Sequence, residues 1–129
     1  MIETNFIKKD EMSKIIQKVA AKDIKLKPVI DVPRWKGSNI SEIFDTSGKT
    51  RMACGIHEIF KSETIEADRV VDDLLYILDG EIEIRTDKES EVFKAGDFAY
   101  VPAKTTVTYA VKKYVKLIYI VYPASWKSE

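Results

Sequence analysis

Between Val70 and Ile84 the chain reads VVDDLLYILDGEIEI. Apolar, strand-forming runs stand on both sides of Asp79–Gly80, and Ile82 and Ile84 alternate with Glu81 and Glu83. An Asp-Gly pair between two such runs predicts a β-hairpin, because glycine accepts the positive φ that a tight turn demands. The pattern extends in both directions. ISEIF, then RMACGIHEIF after a turn at TSGKT, precede it. VFKAGDFAYVPAKTTVTYAV holds two further strands broken at Val101–Pro102, and VKLIYIVYPASW is a last strand too continuously apolar to keep one face wet. Many short strands separated by turns predict a sandwich or small barrel from about Ile40 onward.

The first 38 residues read differently. In DEMSKIIQKVAAK, Met12, Ile15, Ile16 and Val19 recur at helical spacing, and Asp10 and Glu11 suit the helix start. A short amphipathic helix is expected there, followed by an extended stretch around Pro28 and Pro33, where a helix interior is excluded. The chain thus divides into residues 1–38, helix and extended segment, and residues 39–129, the β domain. The helix is expected to be dispensable for the β fold and available to dock on another surface.

Charge balances overall, with 21 basic and 21 acidic residues, but unevenly. Residues 39–95 carry seven Lys/Arg against fourteen Asp/Glu, which argues against a nucleic-acid surface there. Cys54 is the only cysteine, so no intrachain disulfide or cysteine-based zinc site is available, and its apolar neighbours predict a buried thiol. No apolar run has the length of a signal-peptide core or a bilayer span, which predicts a soluble cytoplasmic protein. Ser47–Thr50, SGKT, imitates the end of a phosphate-binding loop, but Ile43 stands where the loop needs its first glycine, and β-type sequence follows. His57 is the only histidine, too few for an ordinary histidine metal site, so no tightly held transition metal is expected.

From Asp73 to Trp126 the spacing resembles the cupin family, whose two motifs are built around histidine metal ligands. Asp73 falls where the first motif has its glutamate before a glycine, here Gly80. Gly96 and Pro102 fit the start of the second. The histidine positions fall on Glu66 and Asp68, or on Ala67 and Arg69 in the shorter spacing, and on Val107, while Lys104 takes a glycine position. VVDDLLYILDGEIEIR, KAGDFAYVPAKTTVTY and especially VKLIYIVYPASWKS resemble the EutQ-type ethanolamine-utilisation proteins, cupins that also lack the usual histidines. The resemblance implies a double-stranded β-helix barrel (the cupin jelly roll), a homodimer, and association with a bacterial microcompartment in the cytoplasm. It also implies an acetate-kinase-type phosphoryl transfer between ATP/ADP and acetate/acetyl phosphate, with Mg²⁺ and ATP as passing ligands and no tightly bound cofactor. A non-catalytic assembly component and a small-molecule-binding cupin stay open beside it. In the non-catalytic reading the N-terminal helix would be the element that docks on microcompartment components.

Strand alternation puts Asp73, Leu75 and Ile77 on one face. In cupin geometry that face is the interior, where a carboxylate must be paired, protonated or bound to a cation. Asp73 is therefore the leading catalytic candidate, against the alternative of a solvated or arginine-paired aspartate. Tyr109, on the face of Val107, is the second. Glu66 and Asp68 are candidates for the cavity mouth, where with Asp73 they would form an oxygen cluster suited to Mg²⁺. Lys104 is a candidate phosphate contact and Tyr119 a candidate ligand hydroxyl. For both tyrosines, burial with a satisfied hydroxyl is the commoner outcome.

Overall fold

The computed structural model describes residues 15–45, 49–67 and 69–124. Asp10–Lys14, Ser47–Gly48, Asp68 and Trp126, on which several expectations rest, lie outside them. Seven strands form one mixed-length antiparallel sheet among the described residues: β1 (Lys27–Pro28), β2 (Asn39–Phe44), β3 (Ala53–Glu66), β4 (Asp72–Arg85), β5 (Ser90–Lys94), β6 (Phe98–Val101) and β7 (Val107–Tyr122). The order is β1-β2-β3-β7-β4-β5, with β6 also paired to β4.

The all-β architecture resembles the sheet of a cupin jelly roll, but the closed barrel expected from the sequence is not formed. The path is open, because its end strands do not pair with each other. Both ends suit an edge. β1 is two residues long and one of them is Pro28, which has no N–H to give, and β5 is short and mostly exposed.

The helical expectation also fails where it can be seen. Residues 15–20 are not helical, Ile15 and Ile16 are exposed, and the first helical turn among the described residues is a single 3-10 turn at Ala21–Asp23. Ile15 and Ile16 lie against no covering surface among the described residues, and an uncovered stripe cannot repay helix nucleation in water.

Asp79–Gly80 is not a hairpin either. β4 runs straight through it, still paired to β7 through Asp79↔Lys116 and Gly80↔Val115. Register shifts around these residues move the buried phase from Leu75 and Ile77 to Ile82 and Ile84. Gly80 has φ +77°, and a Cβ there would run into the Tyr114 carbonyl. β3 shifts register likewise between Phe60 and Ser62. At these irregularities the three long strands bend, so side chains from both halves meet in one core containing Ile59, Leu75, Ile77, Ile82, Ile84, Val107, Val115 and Leu117. The two strands expected across Thr105–Trp126 are one, β7.

Residues 27–38 belong to the packed structure. Val29 is buried and donates its N–H to the Ser38 carbonyl, and Trp35 packs on the core. Residues 28–35 of this strap line the space between the halves of the sheet.

Candidate functional site

The bend and the strap leave a cavity of about 860 Å³. Its walls come from β2, β3, β4, β7, the strap and the segment before β4.

Asp73 enters from the start of β4, between Val121 of β7 and Val101 of β6. Its neighbour Asp72 turns the other way and accepts the Ala103 N–H at 2.8 Å. Asp73 lines the cavity with its side chain 17% exposed. Its Oδ2 meets Nη2 of Arg69 at 3.4 Å, and its Oδ1 is buried with no hydrogen-bond partner. Arg69 directs Nη1 to the Pro102 carbonyl at 2.8 Å, so only part of its fork serves Asp73. Burial therefore outweighs the attraction of Arg69, with Glu66 adding repulsion, and the carboxyl is pushed up to about 7.

Tyr109 is 6% exposed, lines the same cavity, and has a buried hydroxyl without a partner. Desolvation, reinforced by Asp73, holds that hydroxyl protonated well above the usual phenol range. Tyr119 also lines the cavity, and burial first, then Glu42, raises its phenol in the same direction. Its ring lies over Gly55, where any side chain would meet the Tyr119 hydroxyl and the Ser41 carbonyl. The glycine is what lets the tyrosine lie there.

Glu66 lines the cavity and ties down the strap. Its Oε2 accepts from Arg34 Nε at 2.8 Å and from Trp35 Nε1 at 2.7 Å. Trp35 in turn stands edge-on to His57, with ring centroids 4.9 Å apart, and 5.9 Å from Tyr109. His57 shares a 2.8 Å hydrogen bond with Ser38, whose single hydroxyl proton goes to the Trp35 carbonyl. The proton between them therefore sits on His57 Nε2, and Ser38 is not an activated nucleophile. Burial pulls His57 down to about 4 despite the attraction of Glu66.

Of the residues singled out from sequence, Asp73, Tyr109, Glu66 and Tyr119 share this cavity. Lys104 does not. It adopts a left-handed φ of 65° in the turn after Pro102 and lines a separate shallow hollow with Arg85, Thr105 and Thr108. That conformation gives a physical reason for the glycine that the cupin motif has at this position. Val107, in a histidine slot, is a core residue 1% exposed. Cys54 is only half-buried, contrary to expectation, because the interior phase of β3 falls on Ala53 and Gly55. Among the described residues no three His, Cys, Asp or Glu side chains form a metal-binding group.

Sequence reasoning passed over Trp35, Ser38 and Arg34, which come from a stretch without periodicity. It met Arg69 only as an alternative histidine slot. The four-residue spacing from Arg69 to Asp73 was the available signal.

The EutQ family, described as ethanolamine utilisation protein EutQ, matches residues 2–128. The chain belongs to that family. A relative named acetate kinase EutQ, from Clostridioides difficile (strain 630), is 27% identical over 88 residues, which is 68% of this chain and 55% of the relative. The chain thus spans about half the length of that relative. The solved structure of the Clostridium difficile EutQ protein shares the fold with a TM-score of 0.72 at 22% identity, covering 87% of this chain and 83% of that one. A putative ethanolamine utilization protein Q from Salmonella typhimurium LT2 gives 0.70 at 17% identity, over 84% and 87%. At these identities the likeness of the structures speaks for the fold. In this EutQ-family chain the first-motif slots that hold histidines in other cupins fall on Glu66 and Asp68 or on Ala67 and Arg69; Glu66, Ala67 and Arg69 line the cavity, and Glu66 and Arg69 are engaged in hydrogen bonds to protein groups.

Proposed function

We propose that this chain acts in ethanolamine utilisation as a small-molecule-binding cupin, in the cytoplasm and associated with a bacterial microcompartment, and that its ligand occupies the cavity under the strap. One observation carries the reading: Asp73 Oδ1 and the Tyr109 hydroxyl, both on cavity-lining residues, are buried without partners. A buried polar atom left unpaired costs about 1–3 kcal/mol, which a ligand that pairs with it returns. The 129-residue chain should gain thermal stability with at least one of ethanolamine, acetate or acetyl phosphate. Asp73→Asn and Tyr109→Phe should each reduce that gain. A melting temperature indifferent to all three compounds, or a gain untouched by both substitutions, would remove the cavity from consideration.

Acetate-kinase-type phosphoryl transfer is the second reading, favoured by the name of the C. difficile relative. It calls for ATP and Mg²⁺, and the described side chains do not fit them well. Arg69 and Arg34 are engaged by Asp73, Glu66 and the Pro102 carbonyl, and Lys104 opens elsewhere. Asp73 offers one unpaired oxygen, and among the described residues no group of three His, Cys, Asp or Glu side chains gathers to hold a divalent cation. Formation of ATP from acetyl phosphate, ADP and Mg²⁺ that disappears in Asp73→Asn would nevertheless place the reaction in this cavity.

A homodimer is supported by the outer face of the sheet. Leu74 and Tyr76 of β4 pair with Tyr100 and Phe98 of β6 and with Ile120 and Ile118 of β7. Phe98 and Tyr100 are more than half exposed. An apolar face of this kind marks an interaction surface. Sedimentation should give twice the 14.8 kDa chain mass, and Phe98→Glu should return the monomer; a monomeric wild type would end the proposal. Exposed Ile15 and Ile16 support a further contact with microcompartment components through the N-terminal segment.

A further inference from the structure

The charges around the cavity are unequal. Asp31, Glu42, Glu66 and Asp73 line it against Arg34 and Arg69, and His57, with its proton on Nε2 and burial holding it down, adds no positive charge near neutrality. Each arginine already faces an acidic partner. Arg34 lies on Glu66, and Arg69 is divided between the Pro102 carbonyl and Asp73. The free polar atoms are instead an acidic side-chain oxygen, Asp73 Oδ1, and the hydroxyl of Tyr109, itself more than nine-tenths buried. The rings of Trp35, Tyr109, Tyr119 and Phe44 line the same cavity, with Trp35 5.9 Å from Tyr109. Aromatic faces attract cations, and wall carboxylates in a poorly solvated cleft concentrate them.

We infer that the cavity binds an organic ammonium compound, its charged head against Asp73 Oδ1 and a second polar group within reach of the Tyr109 hydroxyl. The inference rests on the cavity being the ligand site and gives that ligand its chemical class. It separates this site from the anionic substrates of acetate-kinase-type chemistry. A primary ammonium supplies the donors that Asp73 Oδ1 lacks, its carbon atoms lie against the aromatic walls, and an adjacent hydroxyl would pair with the phenol of Tyr109. Acetate or acetyl phosphate in the same place would face a carboxyl oxygen with no committed donor and four acidic residues in the walls.

The test is titration calorimetry on the full chain at constant ionic strength, with ethanolamine as the cationic probe and acetate and acetyl phosphate as anionic ones. Trp35 fluorescence provides a second signal from the cavity. Ethanolamine should bind saturably and the anions should not. Asp73→Asn should weaken ethanolamine binding by about ten- to a hundredfold, the range for losing a charged hydrogen bond. Tyr109→Phe, which keeps the ring and removes only the oxygen, should weaken it by about three- to tenfold, and stands in if the Asp73 variant does not fold. Anion binding without ethanolamine binding would overturn the ammonium class and leave the cavity reading intact. Binding of no probe would overturn both. Ethanolamine binding unchanged in both variants would put the ammonium outside the cavity and overturn the inference.

Discussion

Asp73→Asn will give the protein an acid sensitivity that the wild type conceals. His57 and Asp73 are both buried, and burial moves them in opposite directions. His57 is held down at about 4 against an ordinary 6.5. Its contribution is complete above pH 6.5 and is lost as pH falls toward 4, because the unfolded chain takes the proton more readily. Asp73 is held up at about 7 against an ordinary 3.8. Its contribution is complete below pH 3.8 and is lost as pH rises toward 7. The windows overlap between pH 4 and 6.5, where each group changes stability by roughly 3–4 kcal/mol. The opposite slopes nearly cancel in the wild type. With asparagine at 73 only the His57 slope remains, and urea unfolding should show a loss of about 3 kcal/mol from pH 6.5 to 4. His57→Gln should do the reverse and lose stability as pH rises from 4 to 7. The lowered surface carboxylates, Glu58, Asp72 and Glu83, act at the acid edge of this window in every variant and drop out of the comparison. A flat profile in Asp73→Asn would mean that His57 accepts its proton freely in the folded protein.

Gly80→Ala should cost about 2–5 kcal/mol, from the left-handed backbone and from overpacking against a neighbouring main chain. At φ +77° a Cβ would strike the Tyr114 carbonyl, which cannot swing aside as a side-chain tip would. Gly96 separates the two effects, because it has φ +95° but open space around the missing Cβ. Gly96→Ala should therefore cost only the conformational part, about 1–2 kcal/mol. Comparison of the two urea midpoints checks the argument, and equal losses would rule out the contact with Tyr114. The consequence reaches the core, because the irregularity around Gly80 puts Ile82 and Ile84 inward beside Leu75 and Ile77.

The inward direction of Asp73 was legible in the sequence, because alternation along one strand is a local property and Leu75 and Ile77 declare the buried side. Tyr109 was legible for the same reason, two residues from Val107. Gly80 was visible but misread. An Asp-Gly pair suits a hairpin and a bulge equally well, and the choice fell to continued pairing with Lys116 and Val115, more than thirty residues away. The expected helix is absent over residues 15–20 for a related reason: spacing shows that a stripe exists, not that a surface covers it.

What the sequence by itself determined was the all-β class, the strand phases around Asp73 and Tyr109, and the absence of the cupin histidines, because residue type and alternation need no distant partner. Only the tertiary structure decided that the sheet stays open, since closure depends on whether edge strands meet. Only it brought Trp35 and Arg34 onto Glu66, and Ser38 onto His57, across long separations in the chain. It also decided that Asp73 and Tyr109 keep unpaired polar atoms in one cavity. Those atoms are unpaired because their surroundings are built from both halves of a bent sheet and a strap, and no local pattern records what such distant pieces leave unsatisfied.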